Sequence, residues 1–311
     1  MQARRPLVAA ALIASACGST QETPGPELPA AIEGVHRYEL DAPGVTGLSD
    51  ITRDGQGRLW AVAERSRSIL RVDRPGARPV LLPIEGVPDG IDIEGLAWLE
   101  GERFALATES NAGLRGSDGL YLAAVADDIL RVESQRDLSY DLWKLQAVGN
   151  QGVEGLCRAG GELVLAIESV IASGADRFAP IAVNDVATGA WTAHRVRLTT
   201  RTGKISALAC VPVPGRAGAI DVLAVERHFE VARLLRFTVP PGRGDRAPTH
   251  VLEPVVAVDL GPLLTHQENF EGLVWQGGRD FALVVDNDWT QVTGPNLLVT
   301  ARLGADPPSA P

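Results

Sequence analysis

Short apolar runs separated by glycine-rich turns recur along most of the chain. In one copy, Glu94-Gly95-Leu96 begins the first run, a turn follows, and residues 104–109 form the second run. Each copy predicts two antiparallel strands joined by a tight turn, because glycine tolerates the positive φ angles that such turns require. The second run is almost continuously apolar, which is typical of a strand that is covered on both faces.

The pattern occurs five times, which indicates a repeat architecture. The first runs of the five copies begin at Ser49, Glu94, Glu154, Ser206 and Glu271. Two further strand candidates follow most pairs, and four strands per repeat are typical of one blade of a β-propeller. We therefore predict an all-β protein with a single β-propeller over residues 35–304.

Five four-stranded blades account for the whole repeat region, and a sixth, degenerate blade is the alternative. The last repeat has three strands of its own. Residues 36–40 precede the first repeat and are predicted to supply the missing outer strand. Such an N-terminal strand would close the ring and remove its free edges.

The first residues have the order of a bacterial secretion signal. Arg4 and Arg5 precede a short apolar stretch, and small residues then lead into Cys17. We predict that residues 1–16 are a lipoprotein signal peptide and that Cys17 is acylated, because the segment resembles the bacterial lipobox. An ordinary signal peptide with an incidental cysteine is the alternative.

Two terminal segments are expected to lie outside the folded domain. Residues 17–34 are rich in small polar residues, glutamate and proline, which cannot bury apolar surface and predict a flexible tether. Residues 305–311 are expected to be a disordered tail. The protein would then be exported and face the periplasm or the cell exterior, touching the membrane only through the lipid on Cys17.

The formal net charge is −10. We expect no nucleic-acid partner, because so acidic a chain repels phosphate backbones. A phosphate-bearing substrate would require a metal ion to invert the local field. A monomer is expected, with a small ester or an envelope protein as its partner.

Carboxylates occupy equivalent positions in the repeats. In an antiparallel hairpin the first strand begins beside the end of the second, so in a propeller these positions meet at one mouth of the central channel. The carboxylates at these positions are Glu94, Glu154 and Glu271 at the strand starts, and Glu64, Glu109, Glu168, Glu226 and Asp286 at the strand ends.

Such a ring of carboxylates predicts mutual repulsion and raised pKa values. A Ca²⁺ ion, which prefers oxygen ligands, would relieve the repulsion. The alternative is architectural: the carboxylates accept backbone N–H groups or pair with Arg65, Arg227 or His228 and so fix one blade against the next.

Arg65, Arg227 and His228 are the candidate catalytic residues. They directly follow Glu64 and Glu226 in the sequence. The arginines would orient an anionic substrate, and a histidine can act as a general acid or base near neutral pH. A surface histidine without a catalytic role is the alternative. The sequence contains no Gly-x-Ser-x-Gly, His-Glu-x-x-His or phosphate-cradling glycine motif.

Cys157 and Cys210 fall in equivalent strands of neighbouring repeats. We predict that they are buried free thiols. A disulfide between them is the alternative in an oxidising compartment.

Three groups of motifs carry a family resemblance. Glu-Gly-Leu occurs at residues 94–96, 154–156 and 271–273, Ala-Val-Glu-Arg at 224–227 and Val-Asp-Asn-Asp at 285–288. Together they resemble the phytase-like domain family, described as having esterase-like activity of phytase, and more distantly the SdiA-regulated propeller family. Ser206-Ala207 and His228 depart from the expected pattern.

The resemblance implies a secreted β-propeller that hydrolyses phosphate monoesters or other esters with Ca²⁺ as cofactor. Two other functions fit the same residues. One is a non-catalytic binding or scaffold propeller at the cell envelope. The other is a lyase or lactonase that shares the metal but acts on a different small molecule.

Overall fold

A computed structural model describes residues 31–111, 113–213, 218–228, 231–240, 250–263, 268–288 and 294–304. These residues contain no α-helix, only two 3₁₀ turns at Tyr140–Trp143 and Gly261–Leu263, so the predicted all-β class is confirmed. None of their helical segments has the length and apolar character needed to cross a membrane. The predicted signal peptide, Cys17 and the predicted tail lie outside the described residues.

Strands that pair mostly antiparallel make up the described part of the domain. In chain order they are β1 (Ile32–Glu39), β2 (Leu48–Arg53), β3 (Leu59–Ala63), β4 (Ser68–Val72), β5 (Val80–Glu85), β6 (Ile91–Glu100), β7 (Arg103–Ser110), β8 (Ser117–Ala126), β9 (Ile129–Ser139), β10 (Val153–Ala159), β11 (Glu162–Ile167), β12 (Ile171–Ser173), β13 (Asp176–Asp185), β14 (Trp191–Arg197), β15 (Lys204–Pro212), β16 (Ile220–His228), β17 (Val231–Val239), β18 (Val251–Leu252), β19 (Val255–Asp259), β20 (Asn269–Gly277), β21 (Asp280–Asp286) and β22 (Leu297–Leu303).

Each repeat forms a sheet in which sequential strands lie side by side. Strands β2 to β5 and β6 to β9 form two such groups, joined into one eight-stranded sheet by a short parallel pairing of β5 with β9. A six-stranded sheet has the order β10-β11-β13-β14-β18, with β12 also paired to β13, and a four-stranded sheet has the order β15-β16-β17-β19. In the last sheet, β1-β22-β21-β20, the N-terminal strand β1 pairs antiparallel with β22.

The first strands of the repeats contact one another in a cycle. Strand β2 packs beside β6, β6 beside β10, β10 beside β15, β15 beside β20, and β20 beside β2. Sheets that are radially arranged about a shared axis form a β-propeller.

The second strand of a repeat packs on both of its faces, as its continuous apolar sequence predicts. On β11, Val164 and Ala166 join one buried cluster with Val222 of the following repeat. Leu163 and Leu165 point the other way and join a cluster shared with the preceding repeat. The core therefore lies between neighbouring sheets.

Close packing at the axis explains the glycine of the Glu-Gly-Leu motif. A Cβ atom on Gly95 would lie 2.7 Å from the Cβ of Leu156, and one on Gly272 would lie 2.8 Å from the Cα of Asp50. Both distances are shorter than the contact distance between two carbon atoms. The first strands of neighbouring repeats, which are the inner strands of the ring, can therefore pack this closely only because these residues lack a side chain.

In the first repeat, Asp50 takes the place of that glycine. Its side chain is fully buried, and its carboxylate accepts hydrogen bonds from the backbone N–H groups of Ile51 at 2.8 Å and Leu96 at 2.7 Å. Burial raises the pKa of Asp50, while the amides of Leu96, Ile51, Leu156 and Leu273 oppose that rise. One carboxylate thus occupies the axis, surrounded by backbone donors from several repeats.

Serine replaces the glutamate at the start of two first strands. The hydroxyl of Ser49 donates to the carbonyl oxygen of Ile93 at 2.6 Å, and the hydroxyl of Ser206 donates to that of Phe270 at 2.8 Å. In both cases a buried side chain ties one inner strand to the next.

Cys157 on β10 and Cys210 on β15 form a disulfide, with their Cα atoms 5.3 Å apart. The prediction of buried free thiols is therefore wrong. Equivalent strands of neighbouring repeats lie side by side at the axis, and this brings the two side chains within bonding distance.

Candidate functional site

A cavity of about 460 Å³ opens at the mouth where the first strands begin. Six of the eight predicted carboxylates line it: Glu64, Glu94, Glu154, Glu168, Glu271 and Asp286. The three candidate catalytic residues, Arg65, Arg227 and His228, line the same cavity. The start of the first strand and the end of the second strand of each hairpin therefore lie at this mouth, as predicted, and bring these nine residues together.

Three acidic side chains approach one another most closely. Glu64, Asp92 and Glu94 each place a carboxylate oxygen within 4.8 Å of the other two. Asp92 and Glu94 are buried, and Glu64 is half-buried. Asn111 donates a hydrogen bond from its side-chain amide to Asp92. Oxygens at this spacing are compatible with shared coordination of a hard cation.

The electrostatics of this cluster disfavour its full ionisation. Burial, together with the charges of Asp286 and Glu271, raises the pKa of Glu64 to about 7. Burial and the charge of Glu64 likewise raise the pKa of Glu94 well above its ordinary value. A bound cation would reverse both effects, because it stabilises the ionised carboxylates.

Two basic side chains face the acidic cluster across the cavity. Lys204 forms an ion pair with Glu168, and Arg227 forms one with Glu271. Lys204 and Arg227 are register partners on β15 and β16. Burial lowers the pKa of Lys204, although nearby Glu154 partly offsets that effect.

Lys204 was not predicted as a site residue. It is the first residue of β15, at a position where the other repeats carry no basic residue, and it is one of only two lysines in the chain. Both features are visible in the sequence. A search for residues shared between repeats passes over such a residue.

Glu271 carries an unsatisfied oxygen. Its Oε1 accepts hydrogen bonds from Arg227 and from the side-chain amide of Asn269, the latter at 2.8 Å. Its Oε2 is buried and has no hydrogen-bond partner among the described residues. Asn269 also donates to Asp286 at 2.8 Å. Since buried polar atoms are normally paired, this oxygen marks a place for a bound group.

Arg65 lies at the rim. Its guanidinium pairs with Asp288 at 2.8 Å and lies 3.6 Å from Glu64, while 66% of its side chain remains exposed. It is thus held near the cavity entrance by carboxylates on two repeats.

Glu226 is the first of two predicted carboxylates that do not line the cavity. It is fully buried and accepts hydrogen bonds from the backbone N–H groups of Thr199 at 3.1 Å and Thr200 at 3.0 Å, and from both threonine hydroxyls. These contacts hold the loop that leads into β15.

Glu109 is the second predicted carboxylate that does not line the cavity. It accepts the N–H of Gly152 at 2.6 Å and lies 3.6 Å from Arg115. Burial raises the pKa of Glu109 to about 8. The contacts of Glu109 and Glu226 match the architectural alternative for the repeated carboxylates.

The fold and the site define a β-propeller with an acidic cavity at one mouth of its axis, opposed by a small group of cations. The chain belongs to the phytase-like family, whose description is esterase-like activity of phytase and whose model matches residues 43–289. The resemblance of the sequence motifs to the phytase-like family is therefore confirmed.

Solved structures with similar folds include two aldose sugar dehydrogenases. The PQQ-bound enzyme from Streptomyces coelicolor is 13% identical, with 88% of this chain and 99% of that chain covered and a TM-score of 0.48. The soluble apo enzyme from Escherichia coli is 9% identical, with 86% and 99% covered and a TM-score of 0.45.

Virginiamycin B lyase from Staphylococcus aureus is 11% identical, with 87% and 99% covered and a TM-score of 0.42. No curated protein matches the sequence significantly. At these identities and scores, the likenesses carry no information about the activity of this chain.

Proposed function

We propose that the protein is an envelope-anchored, calcium-dependent hydrolase of esters or phosphoesters that acts in the acidic cavity. The observation that carries the proposal is one cavity that is lined both by Glu64 and Glu94, which cluster with Asp92, and by the cations Lys204 and Arg227. Membership of a family named for esterase-like activity of phytase supports the same reaction class.

The residues fit a calcium ion. Glu64, Asp92 and Glu94 would hold it, and the unpartnered Oε2 of Glu271 lines the same cavity. All are hard oxygen ligands of the kind that Ca²⁺ prefers. When bound, the ion would supply Lewis-acid polarisation of a substrate oxygen and neutralise the carboxylates.

The chain's own side chains would bind the substrate and handle protons. Arg227 and Lys204 supply N–H donors for an anionic group, and exposed Arg65 supplies one at the entrance. His228 lines the cavity and is the candidate for proton transfer near neutral pH.

Calcium binding tests the proposal directly. We would titrate Ca²⁺ into chelator-treated protein lacking residues 1–17, and compare a Glu64→Gln, Glu94→Gln variant with a Glu100→Gln control. Glu100 is 72% exposed by side chain and lies on the hairpin turn at the other end of its strand. We expect binding in the parent and the control that is lost in the double variant.

Hydrolysis is measured with the same three proteins. We expect calcium-stimulated release of p-nitrophenol from p-nitrophenyl phosphate or p-nitrophenyl acetate by the parent and the control only. If neither calcium binding nor hydrolysis is observed in the parent, the hydrolase proposal is rejected.

A binding or scaffold propeller is the second candidate. The contacts of Glu226 and Glu109 favour it, since both repeated carboxylates are used within the protein. Reproducible recovery of an envelope protein on the immobilised domain, without hydrolytic activity, would support it. A lyase or lactonase with the same metal would instead appear as calcium-dependent turnover in a screen of lactones and cyclic substrates.

We also propose that the propeller has five four-stranded blades and that β1 closes the last of them. Three observations support this. The first strands contact one another in a cycle of five, each first strand begins a run of sequential pairings, and β1 pairs with β22 on the outer side of the last sheet.

We propose that the mature protein is an exported monomer, held at the membrane by a lipid on Cys17, without a nucleic-acid partner. Strand β1 begins beside Leu303, whose N–H donates to the carbonyl oxygen of Arg279 in a turn at the mouth opposite the acidic cavity. If the tether joins β1 at this opposite mouth, the acidic cavity would face away from the membrane.

A further inference from the structure

A second cavity, of about 360 Å³, opens at the opposite mouth, where the first strands end. Its chemistry is the reverse of the acidic cavity. The side chains of Arg53, Arg158, Trp98 and Trp275 line it together with the disulfide, and among the residues that the structure describes no aspartate or glutamate lines it.

The two arginines are not neutralised by the protein. Arg53 donates from Nη1 to the carbonyl oxygen of Gln276 at 2.8 Å, and Arg158 donates from Nε to that of Gly160 at 2.7 Å. Within the described residues, neither guanidinium forms an ion pair. The backbone contacts hold both groups at the cavity and leave their positive charge for a ligand.

The tryptophans supply flat apolar walls. Trp98 donates from its indole N–H to the carbonyl oxygen of Gly101 at 2.9 Å, and its ring lies against Gly55, where a Cβ atom would be 2.9 Å away. Trp98 and Trp275 are both half-buried, so each ring is in part accessible from the cavity. Aromatic faces bind planar groups, and guanidiniums bind carboxylate or phosphate oxygens.

The axis between the two cavities is closed. Asp50 fills it at the level of the Glu-Gly-Leu glycines, and the inner strands there are in direct contact. A ligand at one mouth therefore cannot reach the other, and the second cavity is a separate site.

We propose that this second cavity binds a small organic anion, a carboxylate or phosphate that is attached to a flat ring. The ring would lie between Trp98 and Trp275, and the anionic group would bind Arg53 and Arg158. This site is independent of the proposed hydrolysis in the acidic cavity.

The test uses 2-naphthoate as the anionic probe and 2-naphthylmethanol as its neutral counterpart. Binding is measured by calorimetry and by the fluorescence of the lining tryptophans. We expect 2-naphthoate to bind at least about tenfold more tightly than the alcohol, the difference expected for one charge-assisted hydrogen bond.

Arg158→Gln is expected to remove most of this preference, and Arg53→Gln to reduce it as well. The control is Arg103→Gln, an exposed arginine already paired with Glu133 at 3.0 Å, which should leave binding unchanged. Thermal unfolding of each variant shows whether it is folded, and Arg158→Gln alone suffices if Arg53→Gln is unstable.

Equal binding of the two probes would overturn the proposal, as would 2-naphthoate binding that survives Arg158→Gln in a folded protein. Binding that is lost in an Arg227→Gln variant instead would place the anion in the acidic cavity and would also overturn it. If the protein does not bind calcium, the hydrolase proposal fails but the anion site at the second cavity is unaffected. The two proposals can therefore be rejected independently.

Discussion

At the scale of single residues, the protonation of Glu64 makes the stability of the protein depend on pH. Its folded-state pKa of about 7 lies above the ordinary value of 4.5, so the folded protein binds more protons than the unfolded chain between these values. Stability therefore falls as pH rises through this interval. Without calcium, we expect Glu64 to contribute a decrease of roughly 2–3 kcal/mol to the free energy of unfolding between about pH 4.5 and about pH 7.

Urea unfolding at a series of pH values measures this change. Glu64→Gln should flatten the profile, and saturating calcium should reverse its slope, since the ion binds the deprotonated carboxylates. A profile that is the same in the parent and in Glu64→Gln would show that Glu64 does not titrate in this range.

Asp50 offers a second prediction at this scale. All of its close polar neighbours are backbone donors, so an asparagine in its place would direct its own N–H₂ group at other N–H groups. We expect Asp50→Asn to lower the free energy of unfolding by roughly 2–4 kcal/mol. Asp41→Asn, an exposed control that is paired only with Arg78 at 3.5 Å, should change it little. A stable Asp50→Asn variant would mean that the axial carboxylate is dispensable.

The sequence predicts the repeated residues of the site well and the unique ones poorly. Glu94, Glu154 and Glu271 are found by alignment of the repeats, because a shared backbone geometry places them alike. Lys204 and Asp50 each occur once, so the repeat contains no signal for them. Their roles depend on which residues lie across the axis, and this is known only once the ring is built.

At the scale of strands, the apolar runs and glycine turns predict the hairpins correctly, because those features are local. Contacts between repeats are less predictable. The disulfide joins β10 to β15, and its cysteines are 53 residues apart in the sequence. The sequence shows that the two strands are equivalent but not that their side chains face each other.

The disulfide should contribute to stability. Joining residues at this separation restricts the unfolded chain, a contribution of roughly 4 kcal/mol in the chain-entropy description. We expect a reducing agent to lower the urea midpoint of the parent and to have no effect on a Cys157→Ala, Cys210→Ala variant, which should already unfold at the lower midpoint. Equal midpoints for the oxidised parent, the reduced parent and the variant would contradict this.

At the scale of the whole molecule, the two mouths have opposite chemistry. Several carboxylates line the mouth where the first strands begin, and arginines with tryptophans line the mouth where these strands end. The repeat produces this difference, because the start and the end of each first strand lie at opposite mouths of the ring. One strand motif can therefore support two separate binding sites.

The last prediction concerns the proposed closure of the ring by β1. Strand β1 pairs with β22 along most of its length, and its residues are largely exposed, so its main contribution is to satisfy the edge of the last sheet. A chain that begins at Leu40 would leave β22 as an open edge, which invites association with other chains. We expect this truncated chain to be less stable by at least about 2 kcal/mol and to associate as its concentration rises.

A circular permutant provides the matched control. It would begin at Leu40 and carry residues 31–39 after Gly304, joined by a short glycine-rich linker, so that β1 follows β22 directly. Because the backbone of Ala31 already accepts a hydrogen bond from the N–H of Gly304 at 2.7 Å, the new connection has little distance to span. If β1 acts by closing the ring, the permutant should match the parent in stability and remain monomeric in sedimentation experiments. A truncated chain as stable and monomeric as the permutant would show instead that the propeller tolerates an open edge.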